Sequence, residues 1–292
     1  GWGEAQARDV LRQALGTDMP MEILNCQTWT AGHALVAQAL SRGRVFLIGD
    51  AAHLFTPTGG LGYNTGIEDA VNLGWKLAAD LRGQAGPALL ASYAFERKKL
   101  GHRNTGYARQ FADSVGLYPA TAELEHDDPQ GAKLRAEASV HFNAHVRLEF
   151  NIPGVTFGGR YDGSPVIVDD GSVIPPDEAN TYVPSAKPGG RPPHAWLPDG
   201  CSLYDTFGRD WSLLVLQGDA ASVERWIDSA ERRGLALQVV RDVPPEVQAV
   251  YQAPLALIRP DQMVAWRGSG RVEPDGVWDR VLGCVVSPEG LN

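Results

Sequence analysis

Cysteine is scarce in this chain: Cys26, Cys201 and Cys284 stand far apart, and no C-x-x-C pair occurs. That spacing excludes a dithiol redox motif, a zinc ribbon and a disulfide scaffold. Long apolar runs are missing as well. No stretch of eighteen apolar residues exists, so nothing reads as a membrane span. No basic-then-apolar leader opens the chain, and it does not begin with Met. Positive charge is short too, with 26 Lys+Arg against 35 Asp+Glu and a net charge of −9. A field of that sign repels polyphosphates, which argues against nucleic acid or an anionic membrane as a partner. A reducing, cytoplasmic setting is the default expectation, and no internal repeat is visible.

What is present suffices for a packed interior. Apolar residues make up 43% and charged residues 21% of 292 positions, room for two domains of roughly 100–200 residues each. Helical spacing predicts helices over 4–15, over 66–81, from Pro87 toward Val115 with Gly101 and Gly106 as interruptions, and over 129–148 capped by Asp127 or Asp128. Residues 21–29 read as extended, Arg44 to Ile48 as a buried strand, and 155–169 as strand-like with a hairpin tip at Arg160 to Gly163. Seven prolines between Pro175 and Pro198 exclude helix and central strand there. Beyond them the expected order is strand (211–216), helix (220–233), strand (235–240), short helix, an antiparallel strand pair (256–260 and 263–267) and a closing helix at 279–285. That is the order of a small thioredoxin-like α/β domain. The expected boundaries are 1–174 and 175–292.

The chemistry concentrates between Arg44 and Leu77. The apolar run delivers Gly49 and Asp50 to its carboxyl end, where ligands sit in open α/β sheets. An Asp there can accept hydrogen bonds from sugar or polyol hydroxyls. Pro57, Gly59, Gly60 and Gly62 then form a turn leading into a helix N-terminus expected near Asn64 and Thr65. Such an end favours negative charge. Either feature alone is common; the two at this spacing are far more specific.

These residues, G-D-A-A-H (49–53), P-T-G-G-L-G-Y-N-T-G (57–66) and E-D-A-V-N-L-G-W-K-L (68–77), resemble the second FAD motif of the single-component flavoprotein aromatic hydroxylases. That is the para-hydroxybenzoate hydroxylase-like group. S-Y-A-F-E-R (92–97), R-Y-D-G-S-P (160–165), G-G-R-P-P-H-A-W-L (189–197) and L-I-R-P-D-Q-M-V-A-W-R (257–267) resemble the phenol and polyketide hydroxylases with a C-terminal thioredoxin-like domain. The implied fold is α/β, the C-terminal portion of a Rossmann-like FAD-binding and substrate domain followed by the thioredoxin-like domain. The implied cofactors are FAD and NADPH or NADH, and the implied reaction is insertion of one oxygen of O2 into a phenolic or polyketide ring. By resemblance, Asp50 holds the ribityl chain and Gly49 permits its approach. The Gly60 turn, Gly62, Tyr63 and Asn64 present backbone N–H groups to the flavin, and the Pro57 carbonyl faces the hydroxylation site. The partner is a small aromatic substrate, and a homodimer is admitted. The group's G-x-G-x-x-G turn has no counterpart here, as neither Gly1-Trp2-Gly3 nor Gly60-Leu61-Gly62 completes it. The adenine-binding half is therefore expected upstream, and this piece alone is expected to hold FAD poorly and to be inactive.

Other residues carry blander readings. His141 and His145 lie four apart on a helix but lack the Glu that a zincin places after the first His, so no metal site is expected. His53 reads as a structural hydrogen-bonding residue, Glu96 to Lys99 as a solvated helix face, and Trp75 as packing. Cys201 and Cys284 read as core or incidental, and Arg160 and Tyr161 as neighbours of the inter-domain seam. The alternatives are another FAD enzyme of the same fold (halogenase, epoxidase or reductase), or a non-catalytic oligomerisation or stability module for 175–292.

Overall fold

The computed structural model describes residues 3–27, 33–241 and 243–285; the ends of the 21–29 extended segment and of the Gly1-Trp2-Gly3 triplet lie outside them. Helix α1 (Glu4–Leu15) buries none of its side chains. Four two-residue strands follow: β1 (Leu35–Val36) pairs with β4 (His53–Leu54), and β2 (Ser41–Arg42) with β3 (Val45–Phe46), both antiparallel. The Arg44–Ile48 run is thus a short hairpin arm rather than a buried strand. With a single neighbour to pair with among the described residues, it leaves Val45 and Ile48 exposed.

Two long helices form the platform for the site. Helix α2 (Leu61–Leu81) starts five residues earlier than its apolar spacing predicts, because Gly60 takes a left-handed conformation (φ 62°) and caps it. Helix α3 (Pro87–Gly116) begins on a proline and runs unbroken through Gly101 and Gly106. At Gly101 the missing side chain gives room to His53, whose ring lies 3.3 Å from where a Cβ would stand. Helix α4 (Pro129–Phe150) follows, its N-terminus held by Asp128, which accepts from the Gly131 N–H at 2.8 Å. The strand-like expectation for 155–169 fails: α5 (Pro153–Phe157) occupies its start, and irregular chain the rest. Its backbone bonds instead to distant segments, Tyr161 N–H to Gly189 and Val168 N–H to Ala265.

The last third folds around a four-stranded sheet in the order β6-β5-β7-β8. Strand β5 (Trp211–Val215) is central and wholly buried, and α6 (Ala220–Arg232) crosses over to the parallel β6 (Leu237–Val240). After α7 (Pro245–Tyr251), the strands β7 (Leu255–Ile258) and β8 (Val264–Gly268) add antiparallel, and α8 (Pro274–Val281) closes the unit somewhat earlier than expected. Alternation along β5 splits the core. Trp211, Leu213 and Val215 face Trp226, Trp266 and Trp278, whereas Leu214 faces Val240, Val247, Tyr251 and Val264 on the other side. The predicted order of elements is the observed one.

The two parts touch closely. Trp75 of α2 meets Trp211 edge-on at 5.6 Å. Gly86 N–H donates to Leu282 at 2.8 Å, and a Cβ on Gly86 would stand 2.3 Å from the Gly283 oxygen. All three cysteines are exposed, so none belongs to the core. No helix among the described residues is long and apolar enough to cross a membrane.

Candidate functional site

After an extended Ile48, the chain makes one tight turn at Gly49–Ala51, with Gly49 at φ 55°. A second turn at Thr58–Gly60 carries Gly59 at φ 73° and passes into α2. Between them lies a cavity of about 260 Å³ lined by Asp50, Leu54, Phe55, Thr56, Pro57, Gly60, Gly62 and Tyr63. Five of the seven expected site residues therefore share one concavity. Asp50 and Tyr63 are exposed, and among the described residues the Asp50 carboxylate has no hydrogen-bond partner.

The other two stand differently. Gly49 makes its close approach to Gly66 of α2, where a Cβ would lie 3.2 Å from the Gly49 Cα. Asn64 sits one full turn inside the helix, so helical geometry assigns its N–H to the Gly60 carbonyl, to which its side chain also donates at 2.9 Å. The first-turn N–H groups without an intrahelical partner are those of Leu61, Gly62 and Tyr63. They sit at the positive end of a 21-residue helix. The Pro57 carbonyl accepts from the Gly60 N–H at 3.3 Å, so one of its lone pairs closes the turn.

Behind the Gly49 turn lies a buried polar network that sequence reasoning passed over. Asp69 Oδ2 accepts from the Gly49 N–H at 3.0 Å and lies 2.6 Å from His53 Nε2, while Oδ1 accepts from Arg97 Nε at 2.6 Å. Burial alone pushes the Asp69 carboxyl up; the His53 hydrogen bond and the Arg97 guanidinium overcome this and hold it below its ordinary value. Arg97 also donates to the Thr65 carbonyl and to the Tyr161 hydroxyl.

One helical position away, Glu96 accepts from Lys76 Nζ at 2.7 Å, Asn72 Nδ2 at 2.7 Å, Ser164 Oγ at 2.6 Å and both Arg259 terminal nitrogens at 2.7 and 2.9 Å. Glu96, Arg97, Lys76 and Arg259 are at most 1% exposed. The expected solvated face at 96–99 is thus fully buried at its first two residues. The signal was legible: Tyr93, Glu96, Arg97 and Leu100 share the i, i+3, i+4, i+7 spacing of a buried helix face, as do Asp69, Asn72, Leu73 and Lys76.

Of the remaining residues, His53 is a buried structural partner of Asp69, as expected. His145 Nε2 lies 2.7 Å from Glu149 Oε2, and His141 Nε2 lies 2.7 Å from the Ser114 carbonyl oxygen. Tyr161 lies under the Arg259 guanidinium at 5.1 Å.

A glycine turn opening a long helix, with an unpaired carboxylate across a cavity from its free N–H groups, is the kind of helix end that suits phosphates and other anions. Comparison sharpens that class. Residues 3–108 match the family described as FAD binding domain, and residues 185–284 match the aromatic-ring hydroxylase C-terminal family. Over these stretches the chain resembles the FAD-dependent aromatic-ring hydroxylases. An FAD-dependent monooxygenase of Emericella nidulans is 36% identical over 89% of this chain and 44% of its own length. The phenol 2-monooxygenase of a Pseudomonas species is 32% identical over 96% of this chain and 52% of its own. Among solved structures, the rebeccamycin-pathway enzyme RebC with bound 7-carboxy-K252c superposes with a TM-score of 0.84, at 36% identity, over 98% of this chain and 53% of that one. The chain spans about half the length of the curated relatives it matches.

Proposed function

We propose that this chain is the C-terminal half of an FAD-dependent monooxygenase that hydroxylates a phenolic or polyketide aromatic ring with NADPH or NADH and O2. The observation that carries the reading is the cavity where Asp50, Pro57, Gly60, Gly62 and Tyr63 converge on the start of α2. The residues fit the cofactor: the unpaired Asp50 carboxylate suits a polyol, and a Cβ on Gly60 would meet nothing within 4 Å, leaving the turn open to a ligand. When bound, FAD supplies hydride acceptance and oxygen activation.

This chain's residues bind and orient. Asp50 accepts hydrogen bonds from the ribityl hydroxyls. Gly62 and Tyr63 donate their backbone N–H groups at the pyrimidine edge, with Leu61 beside them in place of Asn64. The helix end thereby meets the edge that becomes negative on reduction. Pro57 forms the wall shared with the aromatic substrate, its ring excluding water. The same reading divides the chain into 1–174 and 175–292, supported by separate family matches on either side. It also carries a homodimer and a cytoplasmic setting. A halogenase, epoxidase or reductase is disfavoured by the R-P-D-Q-M-V-A-W-R stretch, which lies in the matched hydroxylase C-terminal region.

The test uses the complete protein. It is expected to purify with flavin and to consume NADPH or NADH with phenolic substrates. Asp50→Ala is expected to weaken FAD binding by about tenfold, the loss of a charge-assisted acceptor, read by flavin fluorescence. Unchanged affinity makes Asp50 a turn residue only, and a flavin-free protein ends the reading.

A further inference from the structure

Helix α4 has 22 residues, yet only Gly131, His145 and Glu149 are buried in it. A helix held by apolar packing buries a stripe of leucines and valines; this one buries an acid and a histidine. Both converge on the glycine turn. Glu149 Oε1 accepts the Gly59 backbone N–H at 2.8 Å, across ninety residues of sequence, and Oε2 lies 2.7 Å from His145 Nε2. The same turn is gripped from α3: Thr58 Oγ1 donates to the Ala108 carbonyl at 2.6 Å, and the Phe111 ring lies 2.9 Å from where a Gly59 Cβ would stand. Gly59 is thus pinned in its left-handed conformation on one side by an aromatic ring and on the other by a carboxylate.

We propose that Glu149, oriented by His145, is the positioning residue of the cofactor turn. It touches neither cofactor nor substrate. By fixing the Gly59 N–H it fixes the Pro57–Gly60 turn, and so the direction in which α2 presents the N–H groups of Leu61, Gly62 and Tyr63. A buried carboxylate facing a neutral amide is a costly way to dock a helix, and an apolar residue at 149 would join the neighbouring Leu148, Ile152 and Phe111 cluster. Its place is explained by the turn it holds. The proposal rests on the flavoprotein reading above.

The experiment takes the complete protein with Glu149→Ala, Glu149→Gln and Glu149→Asp. Each variant is measured for FAD dissociation constant, for product formed per NADPH or NADH consumed, and for thermal unfolding of the flavin-free form. Alanine is expected to weaken FAD about tenfold and to lower the coupling of nicotinamide use to hydroxylation. Glutamine keeps an oxygen for the Gly59 N–H and restores both. Aspartate keeps the charge but is one methylene short, and is expected to show the same loss of affinity and coupling in a folded protein, so it carries the test where alanine does not fold. Wild-type affinity and coupling in the aspartate or alanine variant overturn the proposal, whatever the change in melting temperature. So does a glutamine variant as impaired as alanine. Absence of FAD from the wild-type protein instead overturns the flavoprotein reading beneath it.

Discussion

Replacing Arg259 by Met tests the seam between the two parts of the chain. Arg259 makes four hydrogen bonds to carboxylates: two to Glu96 at 2.7 and 2.9 Å, and two to Asp261 at 2.9 and 2.6 Å. Its side chain and that of Glu96 are fully buried, and Asp261 is 3% exposed. With Lys76 the group holds two cations and two carboxylates and is neutral. Methionine fills much of the volume but leaves one cation for two buried acids. Glu96 retains Lys76, Asn72 and Ser164, whereas Asp261 retains only Asn72 at 3.1 Å. Breaking a buried pair by removing one partner costs about 3–5 kcal/mol. At roughly 2 °C per kcal/mol for a chain of this size, the melting temperature is expected to fall by about 6–10 °C. The assay is thermal unfolding followed by circular dichroism. The double variant Arg259→Met, Asp261→Asn leaves Lys76 paired with Glu96 and the group neutral, and is expected to recover part of the loss. A fall of less than about 2 °C for the single variant, or a double variant worse than the single, refutes the reasoning, because the cluster would then not be held by charge.

Three further outcomes follow from the site. Gly59→Ala, forced to φ 73° with its Cβ 2.9 Å from the Phe111 ring, is expected to destabilise the chain by about 1–3 kcal/mol, measured by urea unfolding; a neutral result means the turn relaxes freely. Asp69→Asn removes the charge facing Arg97 and unsettles the acceptor of the Gly49 N–H, so amide exchange at Gly49 is expected to accelerate while that of α6 does not. Burial alone pushes Glu96 up, but Arg259 and Lys76 outweigh it and hold the carboxyl well below its ordinary 4.5. A carboxyl depressed in the folded state adds stability above its ordinary value and loses it as the pH falls below that value. Urea midpoints are therefore expected to drop below pH 4.5, less steeply in Glu96→Gln; parallel profiles would falsify the assignment.

Sequence reading served best where one physical signal dominates. The W-S-L-L-V stretch, apolar but for Ser212, the amphipathic 220–233 segment and the proline-punctuated 175–198 stretch each have one low-energy solution, and the observed elements follow them. It failed where long-range partners decide. The Arg44–Ile48 run has the composition of a buried strand but is a two-residue hairpin arm among the described residues. Residues 155–169 have strand composition, yet their backbone groups are satisfied by Gly189 and Ala265. At the site, Asp50, Pro57 and the glycines were legible because a turn needs specific backbone chemistry. Glu149 was not, since nothing local relates it to Gly59. Glu96 and Arg97 were misread by residue type, although their spacing placed them among core residues.

The Glu96–Arg259 pair joins positions 163 residues apart. At ribosomal rates of about 5–20 residues per second, Glu96 emerges roughly 10–30 s before its guanidinium partner exists. Helices α2 and α3 must pass that interval with Lys76 as the acid's sole cation and Trp75 still without Trp211. The platform beneath the glycine turn is therefore completed only once the β7–β8 turn has left the ribosome. A nascent chain stalled or truncated before that turn carries an open, charged slot between its helices, so the platform waits on residues translated well after its own.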